Sequence, residues 1–159
     1  MKLSTRGRYA VMAMADLARH SAYAPHEEGE TQSLAAIAER QEISFAYLEQ
    51  LFAKLRRAGL VSGVRGPGGG FRLAKRADEM RIADIVVAVD EPLKATRCLS
   101  ETASGCLKKT GRCLTHDLWD ELGVQIEQFL SSVTLADVIE QRIPGRVAVP
   151  RAANAHVAA

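Results

Sequence analysis

At 159 residues, with 47% hydrophobic and 25% charged side chains, the chain can bury one sizeable core, which excludes wholesale disorder. Its net charge of +2 is unevenly spread: residues 1–76 carry 12 basic against 7 acidic side chains, residues 77–159 carry 9 against 12. No apolar run reaches the roughly 18 residues of a membrane span, and Arg6, Arg8 and Asp16 break any leader-like stretch, so a cytoplasmic protein away from the membrane is expected.

The spacing of Tyr9, Val11, Met14, Ala15, Leu17 and Ala18 predicts a first amphipathic helix, capped by Ser4 or Thr5 and ended by Tyr23-Ala24-Pro25. Ser33 opens a short second helix with Leu34, Ile37 and Ala38 inward, finishing near Arg40. After a break at residues 41–43, Ser44 caps a third helix that sets Phe45, Leu48, Leu51, Phe52 and Leu55 on one face. Its basic last turn runs into Gly59, a helix stop. Two short strands, residues 60–65 and 71–73, are joined by the run Gly66-Pro67-Gly68-Gly69-Gly70 and predict a hairpin. That run lacks the trailing Gly-Lys-Ser/Thr of a phosphate loop and follows no buried parallel strand.

This order is that of a winged helix-turn-helix, in which the third helix enters the major groove and the hairpin is the wing. The segment Gln50–Ala77 holds Lys54, Arg56, Arg57, Arg65, Arg72, Lys75 and Arg76 with no acid, which suits a polyanion or a merely solvated face. Ala46, Glu49, Gln50 and Ala53 point outward on the third helix. Gln50 suits an adenine; Glu49 suits a cytosine amino group and repels phosphate. Arg56 and Arg57 suit phosphates, and Arg65 on the wing suits a narrow minor groove. Ordinary exposed helix positions remain the alternative reading for each.

A helix at Ile82–Val89 is too apolar to stand alone and is expected against the winged lobe. Residues 93–115 then lose all periodicity and hold every cysteine, spaced Cys98-x7-Cys106-x6-Cys113-x2-His116. In a reducing setting, three thiols and an imidazole in one pliable loop suit an iron–sulfur centre or a Cys3His zinc site. Free thiols remain possible on the residues alone, and no nucleophile-and-base pairing for a catalytic cysteine is readable. Thr115 next caps a long helix, where Trp119, Leu122, Ile126, Phe129 and Val133 recur at spacings of 3, 4, 3 and 4. Such a seam packs lengthwise on a copy from another subunit or on its own lobe. A last amphipathic piece covers Leu135–Glu140, and a proline-punctuated tail, expected to be disordered, follows from about Pro144.

Four stretches carry a family likeness: residues 1–11 (Met1-Lys2-Leu3-Ser4-Thr5-Arg6-Gly7-Arg8-Tyr9-Ala10-Val11), Ile43-Ser44 through Tyr47-Leu48-Glu49-Gln50-Leu51-Phe52, Val64-Arg65-Gly66-Pro67-Gly68-Gly69-Gly70, and Cys113-Leu114-Thr115-His116. Over about residues 1–142 the chain resembles the IscR family of iron–sulfur regulators. The resemblance implies a mainly α fold with a small β-hairpin wing and a long C-terminal dimerisation helix. It implies a non-enzymatic, homodimeric repressor of iron–sulfur cluster assembly genes on double-stranded DNA with a pseudo-palindromic operator. It further implies a 2Fe–2S cluster on Cys98, Cys106, Cys113 and His116, and a DNA-facing set of Ser44, Tyr47, Glu49, Gln50, Lys54, Arg56, Arg57 and Arg65. The corresponding division is a DNA-binding domain at 1–80, a packing helix, cluster loop and dimerisation helix at 81–142, and a tail at 143–159. Cysteine gaps of seven and six replace the five usual in that family, and Ala46 stands where a serine is common. The competing readings are a metal-binding or redox carrier and a nitric-oxide-sensing repressor of the same fold.

Overall fold

A computed structural model describes residues 4–21, 30–66, 68–89 and 113–143, which form six helices and one hairpin. Helix α1 (Thr5–His20) starts where the Ser4 hydroxyl accepts the Gly7 N–H at 3.1 Å. It is the hub, burying Ala10, Ala13, Met14, Leu17 and Ala18. The small side chains at 10 and 13 let neighbouring elements approach closely.

Helix α2 (Leu34–Gln41) is capped by Ser33, whose hydroxyl accepts the Ala36 N–H. It ends at Glu42 in the left-handed region, φ 52°, and the Ile43 N–H then reaches the Ala38 carbonyl at 3.1 Å. Ser44 at once caps α3 (Phe45–Arg57) by accepting the Tyr47 N–H. Two capped helices separated by three residues, Glu42 among them left-handed, make the tight turn of the motif. Leu48, Leu51, Phe52 and Leu55 enter the core as expected. Phe45 does not. It is 48% exposed, because it lies at the outward border of the apolar stripe, one turn before Glu49.

Strands β1 (Val61–Val64) and β2 (Gly70–Leu73) pair antiparallel, with Val61 opposite Leu73 and Val64 opposite Gly70. Gln32, just before α2, adds a further bridge. Its N–H donates to the Phe71 carbonyl at 2.9 Å, and the Phe71 N–H returns to the Gln32 carbonyl at 2.8 Å. This close approach demands glycine at 70, since a Cβ there would lie 2.5 Å from the Gln32 carbonyl oxygen. The Phe71 ring meets Phe52 of α3 edge-on, with centroids 4.9 Å apart, so wing and recognition helix share one core.

Helix α4 (Ile82–Val89) packs on α1 and α3. Helices α5 (His116–Ser132) and α6 (Leu135–Ile139) return the chain to the lobe. The Ile82 N–H donates to the Val133 carbonyl at 3.0 Å, the Leu135 N–H to Met80 at 2.8 Å, and the Ala136 N–H to Ala77 at 3.1 Å. Val133 therefore corrects the expected seam: it is 3% exposed, inside its own chain's core. A capping box of Thr134 and Asp137 fixes the turn into α6. The Thr134 hydroxyl and backbone N–H hold the Asp137 carboxyl below the usual carboxylate range.

One polar cluster joins these parts. Asp16, 5% exposed on the apolar side of α1, accepts from Arg40 Nε at 3.1 Å and Nη2 at 2.7 Å, and from Gln41 Nε2 at 3.0 Å. The hydrogen bond to Asp16 raises the Arg40 guanidinium pKa further above its ordinary value. Arg40 Nη2 also donates to the Gln32 side-chain oxygen at 3.2 Å, and Gln32 Nε2 to the His20 carbonyl at 3.3 Å. Asp16→Ala strands the Arg40 guanidinium beside apolar surface. Because Arg40 still reaches water, the expected loss is about 2 kcal/mol, below the range for a fully buried pair. Urea denaturation of Asp16→Ala, Arg40→Ala and the double variant measures it, with the double variant no less stable than the worse single one.

Candidate nucleic-acid interface and metal centre

With four large residues of α3 fixed inward, helical geometry turns its other side to solvent. Ser44, Ala46, Glu49, Gln50, Ala53, Arg56 and Arg57 are all exposed there. The face is low in profile, with Ala46 and Ala53 on either side of Glu49 and Gln50, so a base edge can come close. Arg57 Nε rests on the Ala53 carbonyl at 3.3 Å, aligned along the helix's last turn. Arg65 is exposed where β1 gives way to the wing tip, beside Gly66 at φ 108°.

Two of the expected contacts are placed differently. Tyr47 is half-buried, and its ring meets Tyr9 of α1 edge-on at 5.9 Å. Lys54 is turned sideways, its Nζ donating to the Val89 carbonyl at 2.9 Å. That carbonyl closes α4, where carbonyls lack intrahelical donors and the helix dipole is negative, so the ammonium caps the helix. Further along the basic stretch, Arg76 pairs with Asp78 at 2.8 Å, which holds the Asp78 carboxyl below its ordinary range. The uninterrupted positive run of the sequence thus narrows to Arg56, Arg57, Arg65, Arg72 and Lys75.

The second cluster stands at the start of α5. His116 is the first residue of that helix, 3% exposed, and its N–H donates to the Cys113 carbonyl at 3.1 Å. Cys113 is half-buried, with its sulfur 3.6 Å from the Thr115 hydroxyl. The turn brings a thiol and an imidazole to one end of α5. Cys98 and Cys106 lie outside the described residues. Among the described residues no group of three or more His, Cys, Asp or Glu gathers around one point. Thr115 holds the N-cap position without a side-chain cap bond.

Along α5, Trp119 is 41% and Phe129 48% exposed, and Leu122 and Ile126 are half-buried. Leu118, which the 3–4 spacing passed over, is 62% exposed and falls on the same stripe. Four of the five expected seam residues thus share one outward apolar face, and Leu118 takes the place of Val133. The ion pair of the buried Asp16 with Arg40 also escaped the sequence; its one trace was an acid amid the apolar positions of the first helix.

The family model for Rrf2, described as an iron-dependent transcriptional regulator, matches residues 3–141. The chain is 50% identical over 142 residues to the HTH-type transcriptional regulator IscR of Photorhabdus laumondii, covering 89% of this chain and 81% of that one. It is 49% identical over 140 residues to IscR of Vibrio atlanticus, covering 88% and 76%. Among solved structures, T. potens IscR matches with a TM-score of 0.68 at 37% identity, covering 94% and 93% of the two chains. CymR, described as the global cysteine regulator of B. subtilis, matches at 0.69 and 30%, covering 89% and 98%.

The two basic neighbours on α3 separate by experiment. Lys54→Met is expected to cost about 1 kcal/mol of stability, as a lost hydrogen bond does, and to leave the salt dependence of duplex-DNA affinity unchanged. Arg56→Ala is expected to lower the slope of log affinity against log salt by about one and to leave stability intact. Urea melts and fluorescence-anisotropy titrations at several salt concentrations measure both.

Proposed function

Because the chain belongs to the Rrf2 family of transcriptional regulators, we propose that it is a homodimeric repressor of iron–sulfur cluster assembly genes that senses a 2Fe–2S cluster. It binds DNA through α3 and the wing, and acts in the cytoplasm beside its operators; among the described residues no helix is long and apolar enough to cross a membrane. The observation that carries the proposal is the placement of α5: Cys113 and His116 stand at its start, and its far end is sewn into the winged core at Val133. A change at the ligands is thereby delivered, along one rigid helix, to the lobe that holds α3.

Cys98, Cys106, Cys113 and His116 would hold the cluster, and the donors at the start of α5 fit it: a half-buried thiol and a buried imidazole, soft to borderline ligands. When bound, the cluster supplies a releasable, redox-active centre whose presence reports iron–sulfur supply. Three thiolates and one neutral imidazole leave the site less anionic than four thiolates. On the DNA side, Gln50 and Glu49 read bases, while Arg56, Arg57 and Arg65 anchor phosphates and the minor groove. The stripe of Leu118, Trp119, Leu122, Ile126 and Phe129 pairs with its two-fold copy, so the operator is a pseudo-palindrome.

Protein purified without oxygen is expected to show broad visible charge-transfer bands, and Cys106→Ala to lose them while keeping the winged fold by circular dichroism. A colourless protein holding one zinc per chain would replace the sensor with a zinc protein. Ile126→Glu places a carboxylate in the seam and is expected to give folded monomers in analytical ultracentrifugation, with operator affinity reduced at least tenfold. A stable dimer in that variant would put the interface elsewhere.

A further inference from the structure

Phe45 is the large apolar residue that the fold of α3 leaves unused. Its neighbours on the recognition helix either enter the core or are small, polar or basic, whereas Phe45 keeps 48% of its surface in solvent. Among the described residues the ring contacts join Phe52 to Phe71 and Tyr9 to Tyr47, and Phe45 takes part in neither. It is the first residue of α3, directly after the capping Ser44. In a helix-turn-helix the first turns of this helix approach the base edges most closely.

We propose that Phe45 reads a thymine, its ring packing on the C5 methyl group in the major groove. The inference rests on the DNA-binding reading above and deepens it. A phenyl ring offers no strong hydrogen bond, so packing it on a phosphate or a polar base edge would strip water without compensation. Thymine is the one base that presents an apolar group in the major groove. Helical geometry locates that base. Phe45 and Glu49 are four residues apart on one face, about 6 Å along the axis, which spans roughly two base steps of about 3.4 Å. The thymine therefore lies within about two base pairs of the pair that Glu49 faces, once in each half-site. Phe45 and Glu49 act as a pair of opposite kind: the carboxylate demands a donor, and the ring demands a methyl.

The test begins with duplexes selected by the wild-type dimer from a randomised pool. Each thymine of the selected site is then replaced by uracil, which pairs identically and lacks only the methyl group. Wild-type protein is expected to lose about fourfold in affinity per half-site at one thymine position, the effect of one methyl left unburied. Phe45→Ala is expected to bind the thymine and uracil duplexes equally, and Phe45→Leu to keep most of the discrimination. Three results overturn the proposal: a selected site with no thymine in its half-sites, wild-type indifference to every uracil, or full discrimination surviving in Phe45→Ala. If wild-type protein enriches no sequence over random DNA, the DNA-binding reading falls first and the proposal with it; indifference to uracil at a tightly bound site removes the proposal alone.

Discussion

The lobe that presents the recognition helix depends on one buried carboxylate. Asp16 sits amid the apolar side chains of α1, where an isolated charge is not tolerated, and it is made tolerable by Arg40 and Gln41 at the end of α2. Those donors must come to a fixed point, so α2 is fixed in rotation and not merely pressed against α1. The left-handed turn at Glu42 then passes that rotation to α3. Through Gln32 the same cluster reaches the wing, whose β2 strand hydrogen-bonds the residue that Arg40 also holds. Apolar packing supplies most of the lobe's stability, but it is non-directional. The polar cluster supplies the orientation.

Where the sequence carried a simple signal, the structure follows it closely. Ser4, Ser33 and Ser44 cap three helices, and Ile82–Val89 forms the helix its apolar run implies. Caps and periodicity are local properties, decided within a few residues. The differences arise where a distant neighbour decides. Lys54 looked like a phosphate ligand because its charge is visible and the open carbonyl of Val89, 35 residues on, is not. Val133 continued a heptad-like spacing, but the bridge between Arg81 and Thr134 drew it into its own core. Phe45 was hydrophobic at a core-compatible spacing, and a helix's first turn lies at the edge of what the core covers. The candidate metal centre was legible as a ligand inventory, since the three cysteines and His116 fall within one stretch of the chain; the placement of Cys113 beside His116 follows from a helix start.

The placement of the two centres gives the chain its internal economy. One face of α3 and one face of α5 are left to solvent, so the core falls to α1, α4, α6 and the inner faces of the rest. Helix α4 is central to this arrangement. It fills the space behind α3, its last carbonyl is held by Lys54, and its first N–H is held by Val133 at the end of α5. The short apolar helix thereby touches both α3 and α5.

Helix α5 begins at the buried His116 and is joined to the core at Val133, and its 17 residues run between them without interruption. Each residue of an α-helix advances the azimuth by about 100°. The helix is thus an angular gauge as well as a spacer: adding one residue just after His116 would swing Cys113 and His116 to another side of the molecule while the rest of the helix stayed aligned with the core. Insertions of seven or eleven residues come within about 20° of restoring the phase, and those of one or two cannot. A change in the length of this segment preserves that geometry only near whole numbers of turns.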